Sequence, residues 1–182
     1  MRILAEDTIA LVVDFQERLL PVINDNEKLL HNTRILIQGL KTLGIPMIVT
    51  QQYTKGIGMT VPPVVEAFGD EEFEFFDKTA FSCADDEQIL KRVRETGKKN
   101  IIICGIEAHI CVLQTVIDFV EKGYDVVLVE DCIGSRKEKD RLIAVQRAAS
   151  EGAVITTYES ILFELTRIAK TDVFKEISKL IK

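Results

Sequence analysis

Histidine is scarce in this 182-residue chain: there are two, His31 and His109, separated by 78 positions, and no CxxC pair stands beside either. A histidine-based or cysteine-based metal site therefore lacks ligands, and no metal is expected. Phosphate cradles are missing as well. No GxGxxG follows the first apolar run, where Asp14-Phe15-Gln16-Glu17 stands instead, and no GxxxxGK[ST] occurs anywhere, so no nucleotide cofactor is expected. Nor is there a basic cluster: 29 acidic residues outnumber 23 basic ones for a net charge of -6, which argues against nucleic acid as a partner. No apolar run approaches the roughly 20 residues that cross a bilayer. The opening MRILAEDTIALVVDF places acids where a secretory leader needs a positive end and an apolar centre, so a soluble, cytoplasmic protein without a membrane partner is expected. The four cysteines do not make a secreted disulfide framework; they read as reduced thiols, to be weighed singly.

What the chain does contain is an alternation of buried strands and amphipathic helices. Thr8 to Val13, Pro46 to Thr50, the aromatic run Phe73 to Phe76, Asn100 to Gly105, Asp125 to Val129 and Ala153 to Thr157 read as six strands. Between the first two, Leu29, Leu30, Thr33, Leu36, Ile37, Leu40 and Leu43 recur every three or four residues and stop at Gly44, the pattern of a helix with a C-terminal glycine. Further helices are expected near Asp85–Thr96, Cys111–Lys122, Glu138–Ser150, Ser160–Ala169 and Thr171–Ile181. Residues 1–182 thus form one α/β domain, a three-layer α/β/α arrangement around a six-stranded, mainly parallel sheet. The stretch Gln51 to Gly69 breaks the rhythm with three glycines and two prolines; it reads as a surface excursion or as a lid at the carboxyl end of a strand.

Ligands of open parallel sheets bind beyond the carboxyl ends of the strands, so the polar residues standing there are the candidates for chemistry. The first strand ends in Asp14, the second in Gln51 and Gln52, the third in Asp77 and Lys78, and the fourth leads through Glu107 and His109 to Cys111. Cys111 falls at the start of a helical pattern, where a helix N-terminus favours a thiolate. If Lys78 and Asp14 converge on it, the ammonium lowers the thiol pKa and the carboxylate carries the proton, which makes an activated nucleophile. From spacing alone, a capping or ion-paired carboxylate, a solvated lysine and a packed cysteine are the commoner readings. Cys104 sits inside an isoleucine run and reads as core. Cys83 and Cys132 lie near strand ends, His31 faces outward, and His109 is a rival base if its loop folds back onto the thiol.

Three stretches carry a resemblance to a known family. Ala10 to Gln16 (ALVVDFQ), Phe76 to Ser82 (FDKTAFS) and Gly105 to Thr115 (GIEAHICVLQT) together resemble the isochorismatase-like, or cysteine hydrolase, superfamily over nearly the whole chain. The stretch Gln51 to Gly56 (QQYTKG) and the tail Glu176 to Lys182 (EISKLIK) are similar to the subgroup of isochorismatase domain-containing proteins. The resemblance implies a triad of Asp14, Lys78 and Cys111, and a cis peptide at Ile106-Glu107. It also implies an oxyanion hole from the backbone N–H groups of Glu107 and Cys111, a small-molecule substrate and a homo-oligomer. Gln16, Gln52, Tyr53 and Phe81 are the expected pocket walls. The nicotinamidase branch of this family binds a metal through an aspartate and two histidines after the second strand, where this chain has Gln51-Gln52-Tyr53. Isochorismate hydrolases often lack the cysteine, which this chain keeps. The reading is a metal-independent hydrolase that cleaves a C–N bond of a small amide or carbamoyl compound through a thioester. The alternatives are a weakly catalytic or scaffold member of the fold, or a vinyl ether hydrolase of the isochorismate type. A phosphate-receiving domain is disfavoured, because Phe15 follows Asp14 where a second acid is needed.

Overall fold

A computed structural model describes residues 2–69 and 73–182. Its frame is one six-stranded sheet with all strands parallel, β1 (Thr8–Val13), β2 (Met47–Gln52), β3 (Phe75–Lys78), β4 (Asn100–Ile106), β5 (Asp125–Gly134) and β6 (Val154–Thr156), in the order β3-β2-β1-β4-β5-β6. The helices are α1 (Asn26–Thr42), α2 (Thr54–Ile57), α3 (Pro62–Ala67), α4 (Glu87–Glu95), α5 (Leu113–Glu121), α6 (Glu138–Ser150), α7 (Tyr158–Thr166) and α8 (Asp172–Ile181). Because side chains alternate along a strand, β1 divides its apolar residues between two cores. Ala10 and Val12 join α1, α3, α7 and α8 on one face, while Ile9, Leu11 and Val13 join α4, α5 and α6 on the other. Both faces are covered, which is why β1 and β4 read as unbroken apolar runs. Burying each of these Leu, Ile or Val side chains contributes about 1.5–3 kcal/mol.

α1 ends as its sequence requires. Gly44 adopts φ +68°, its N–H bonds to the Lys41 carbonyl, and the N–H of Ile45 reaches back to Leu40, so the last carbonyls of the helix are satisfied before β2 begins. The tail helix α8 folds onto its own chain, with Ile177 buried among α1 and α7 residues.

The sequence boundaries shift in places. The third strand begins two residues later than its aromatic run and takes Asp77 and Lys78 into the ladder, paired with Gln51 and Gln52. The fifth strand continues past Val129 to Gly134 through a register shift against β4. The stretch 51–69 is neither a bare loop nor a free lid: it finishes β2, makes α2 and α3, and its Thr60 bridges to Gln16. Cys111 does not open an α-helix, since a π-type turn, Ala108–Val112, precedes α5. No helix among the described residues is long and apolar enough to cross a membrane.

Candidate active site

β1 is followed by β2 and β3 on one side and neighbours β4, β5 and β6 on the other, so the strand order reverses between β1 and β4. The crevice at the carboxyl ends of these two strands is where open α/β sheets bind ligands. Gly105 lets the strands close there: it sits at φ +145°, and a Cβ would lie 2.6 Å from the Val13 Cβ and collide with the Val13 carbonyl oxygen. The peptide Ile106-Glu107 that follows is cis.

Asp14 leaves β1 with φ +53° and is fully buried, at 0% exposure. Its Oδ1 accepts the Thr50 hydroxyl at 2.7 Å and its Oδ2 accepts the Lys78 ammonium at 2.7 Å. Lys78, 2% exposed at the end of β3, also donates to Gln52 Oε1 (2.7 Å) and to the carbonyls of Phe81 (3.1 Å) and Ala80 (3.3 Å). Burial is the largest influence and works against its charge, but the Asp14 carboxylate together with the nearby Cys83 and Cys111 sulfurs holds the Lys78 pKa above its ordinary value.

Cys111 approaches the same pair from the turn after β4 and is 5% exposed. The low-pKa thiol expected from sequence is not what the surroundings produce: burial pushes Cys111 up to about 12, and the charge of Asp14 and its acceptance of the S–H add to this, while Lys78 pulls the other way. Burial is the largest cause; the ammonium that opposes it is bonded to Asp14, and no α-helix begins at the cysteine. Cys111 is therefore a neutral thiol beside a carboxylate. Cys83 lies close enough for the Lys78 charge to act on it, yet burial lifts it to about 11, and its backbone N–H is held by the Thr115 hydroxyl (2.9 Å).

The turn that presents Cys111 wraps around Glu107. The Glu107 carbonyl accepts the N–H groups of Ile110 (3.0 Å) and Val112 (3.3 Å), and its carboxylate takes the Arg136 guanidinium at 2.9 Å. His109 is turned away from the rival-base role, because its Nδ1 pairs with the Ser135 hydroxyl at 2.9 Å.

Two of the four expected pocket walls belong to the scaffold instead. Gln16 is fully buried and spends its amide on backbone: Nε2 donates to the carbonyls of Gln52 (2.9 Å) and Gly58 (2.7 Å), and Oε1 accepts the Gln52 N–H (2.7 Å). Gln52 turns its amide to Lys78 and to the Thr79 carbonyl (2.8 Å). Tyr53 and Phe81 are 56% and 53% exposed and flank Lys78: the Tyr53 N–H donates to the Lys78 carbonyl, and the Phe81 carbonyl accepts from its ammonium. Gln51, adjacent to Gln52, receives the Thr60 N–H and hydroxyl and donates to Asp77, which pins the segment after β2.

Two cavities open elsewhere. One of about 300 Å³ has Lys28, Asn32, Asp131 and Arg141 in its wall, and one of about 500 Å³ at the amino ends of β2 and β3 is walled by Met47, Phe68, Phe76 and Arg92. Neither is lined by a cysteine, serine or threonine, whereas Asp14, Lys78 and Cys111 meet at the crevice between β1 and β4. Among the described residues no group of three or more His, Cys, Asp or Glu side chains is arranged to hold a metal ion.

The sequence profile of the isochorismatase domain matches residues 8–160. The chain belongs to the isochorismatase family. Among curated members, isochorismatase family protein 1B of Dictyostelium discoideum is 36% identical over all of this chain and 89% of its own length. Among solved structures, a MAR1 ribonuclease of Caenorhabditis elegans superposes with a TM-score of 0.93 at 37% identity, covering 100% of this chain and 92% of the other. The YcaC gene product of Escherichia coli, an octameric hydrolase of unknown specificity, gives 0.92 at 29% identity over 100% and 89%. Isochorismatase family membership makes a hydrolase the coarse description of this chain.

Proposed function

We propose that the protein is a cysteine hydrolase that cleaves the C–N bond of a small amide or carbamoyl compound without a metal. Asp14, Lys78 and Cys111 act as a triad. The observation that carries this reading is the fully buried Asp14–Lys78 pair, 2.7 Å apart, set beside Cys111 at the crevice between β1 and β4. Burying such a pair costs several kcal/mol of desolvation per ion, and apolar side chains would fill the same space more cheaply. Its place beside a thiol suits catalysis.

The neutral resting thiol fixes the order of events. Cys111 Sγ attacks the carbonyl carbon as Asp14 accepts the thiol proton; Asp14 then hands that proton to the departing amine, leaving a thioester. Water hydrolyses the thioester by the same route in reverse, with Asp14 as base and the thiol as leaving group. Lys78 keeps Asp14 from drifting and balances its charge. The N–H groups of Glu107 and Cys111 serve the tetrahedral oxyanion, a contribution of about 3 kcal/mol when one donor is removed from such a hole.

A polynucleotide is a poor match for a chain with net charge -6 and no basic cluster. The four unpaired cysteines suit a reducing compartment, which fits a cytoplasmic protein. The octameric relative supports a homo-oligomer. The test is a panel of small primary amides and carbamoyl compounds followed by ammonia release, with intact-mass detection of an acyl adduct on Cys111. Turnover with an adduct that Cys111→Ala abolishes is the expected result. Turnover that persists in Cys111→Ala within a factor of a few overturns the mechanism.

A further inference from the structure

We propose that Gln52 is a positioning residue, which holds the Lys78 ammonium on Asp14 rather than contacting substrate. The inference rests on the triad reading above and deepens it. An ammonium has three protons to donate. Here Asp14 Oδ2 takes one and Gln52 Oε1 another, both at 2.7 Å, and the carbonyls of Phe81 and Ala80 share the third direction at 3.1 and 3.3 Å. Lys78 therefore has no proton left for a substrate, and its direction is set by its partners.

Of those partners, Gln52 is the one whose own orientation is locked from three sides. Its Nε2 donates to the Thr79 carbonyl at 2.8 Å, which dictates that the oxygen end of the amide faces Lys78. Its backbone N–H and carbonyl are both taken by the Gln16 side chain, at 2.7 and 2.9 Å, and the same Gln16 amide reaches on to Gly58. Gln52 is itself buried, so these bonds are made away from water. Two glutamine side chains thus connect the strap after β2 to the ammonium, and the strap to Asp14 through it. A glutamate at this position would add a second anion beside Asp14. A neutral oxygen holds the cation without competing for its charge.

The experiment compares wild type with Gln52→Leu and Gln52→Glu. It has two readouts: the Lys78 ammonium signal in a proton–nitrogen correlation spectrum, and the pH dependence of iodoacetamide labelling at Cys111, followed by peptide mass spectrometry. The wild-type ammonium, bonded on every side, is expected to give a slowly exchanging signal that Gln52→Leu loses. The Cys111 labelling profile in Gln52→Leu is expected to move up by about one pH unit, the size of one lost charge-assisted hydrogen bond. Gln52→Glu should keep the ammonium signal and still raise the profile, because the added anion opposes the thiolate. A residue that only packs would change stability and leave the profile in place. Folded variants with the wild-type ammonium signal and the wild-type profile overturn the proposal. An ammonium signal that depends on Gln52 in a protein whose Cys111 never labels upholds the Gln52 assignment and counts against the hydrolase reading instead.

Discussion

β4 and the turn behind it each hold a buried thiol, on opposite faces of the sheet, and both thiols are pushed up to about 12. The causes differ. Cys104 sits among apolar residues, points its S–H at the Leu11 carbonyl, and is raised by burial alone. Cys111 is raised by burial and by Asp14, and Lys78 opposes both. Equal shifts therefore describe one thiol raised by burial alone and one whose proton has a named acceptor next to it. The two differ in the part of the shift that a single substitution can remove, not in its size.

The largest effect that separates the two thiols is on turnover. Replacing Cys111 by Ala should lower hydrolysis of a small amide by a factor on the order of 10^4 or more. Cys104→Ala should leave turnover within a factor of a few and cost on the order of 1 kcal/mol in stability. Steady-state rates and urea melts of both variants check this.

Next comes the ion pair. Lys78→Met strands the Asp14 carboxylate in a site with 0% exposure, so about 3–5 kcal/mol of stability should be lost near pH 7. Denaturant unfolding near pH 7 measures this.

Part of this was legible from the sequence. Asp14, Lys78 and Cys111 stand out because apolar strands that end in polar residues deliver them to one edge of the sheet. The alternation of strands and helices sets the layers for the same reason. The roles of Gln16, Gln52 and Glu107 were not legible. Each bonds to partners brought close only by tertiary folding: Gln16 to Gly58, Gln52 to Lys78, Glu107 to Arg136. A glutamine at a strand end looks alike whether it faces a substrate or a neighbouring backbone. The raised thiol pKa is hidden from the sequence for a similar reason: the Lys78 ammonium is bonded to Asp14, and burial is a property of the assembled core.

A separate effect concerns alkaline pH. Cys83, Cys104 and Cys111 have folded pKa values of about 11, 12 and 12, above the ordinary 9.0, and Lys78 is raised as well. The folded state then keeps protons that the unfolded chain releases. Stability is fully present below pH 9 and falls as pH rises from there toward 11–12, by up to about 1.4 kcal/mol per pH unit for each thiol. Unfolding free energies measured between pH 7 and pH 11 should be flat and then decline, and Cys104→Ala should flatten the decline by one thiol's share.

The smallest effect is at Thr50. Its hydroxyl supplies Asp14 Oδ1 with a hydrogen bond at 2.7 Å, so Thr50→Val should cost about 1–3 kcal/mol, detectable in a thermal melt. Cys104 should be unaffected by that change.

The most direct test of the contrast between the thiols is an NMR titration of cysteine labelled at Cβ, in wild type and in Asp14→Asn. With the carboxylate gone, burial and the weaker influence of Cys83 still oppose the Cys111 thiolate while Lys78 favours it, so the Cys111 titration should move clearly below about 12 while Cys104 stays where it was. If Cys111 and Cys104 both keep their wild-type positions in Asp14→Asn, Asp14 does not govern the thiol proton, and the triad is not a catalytic unit.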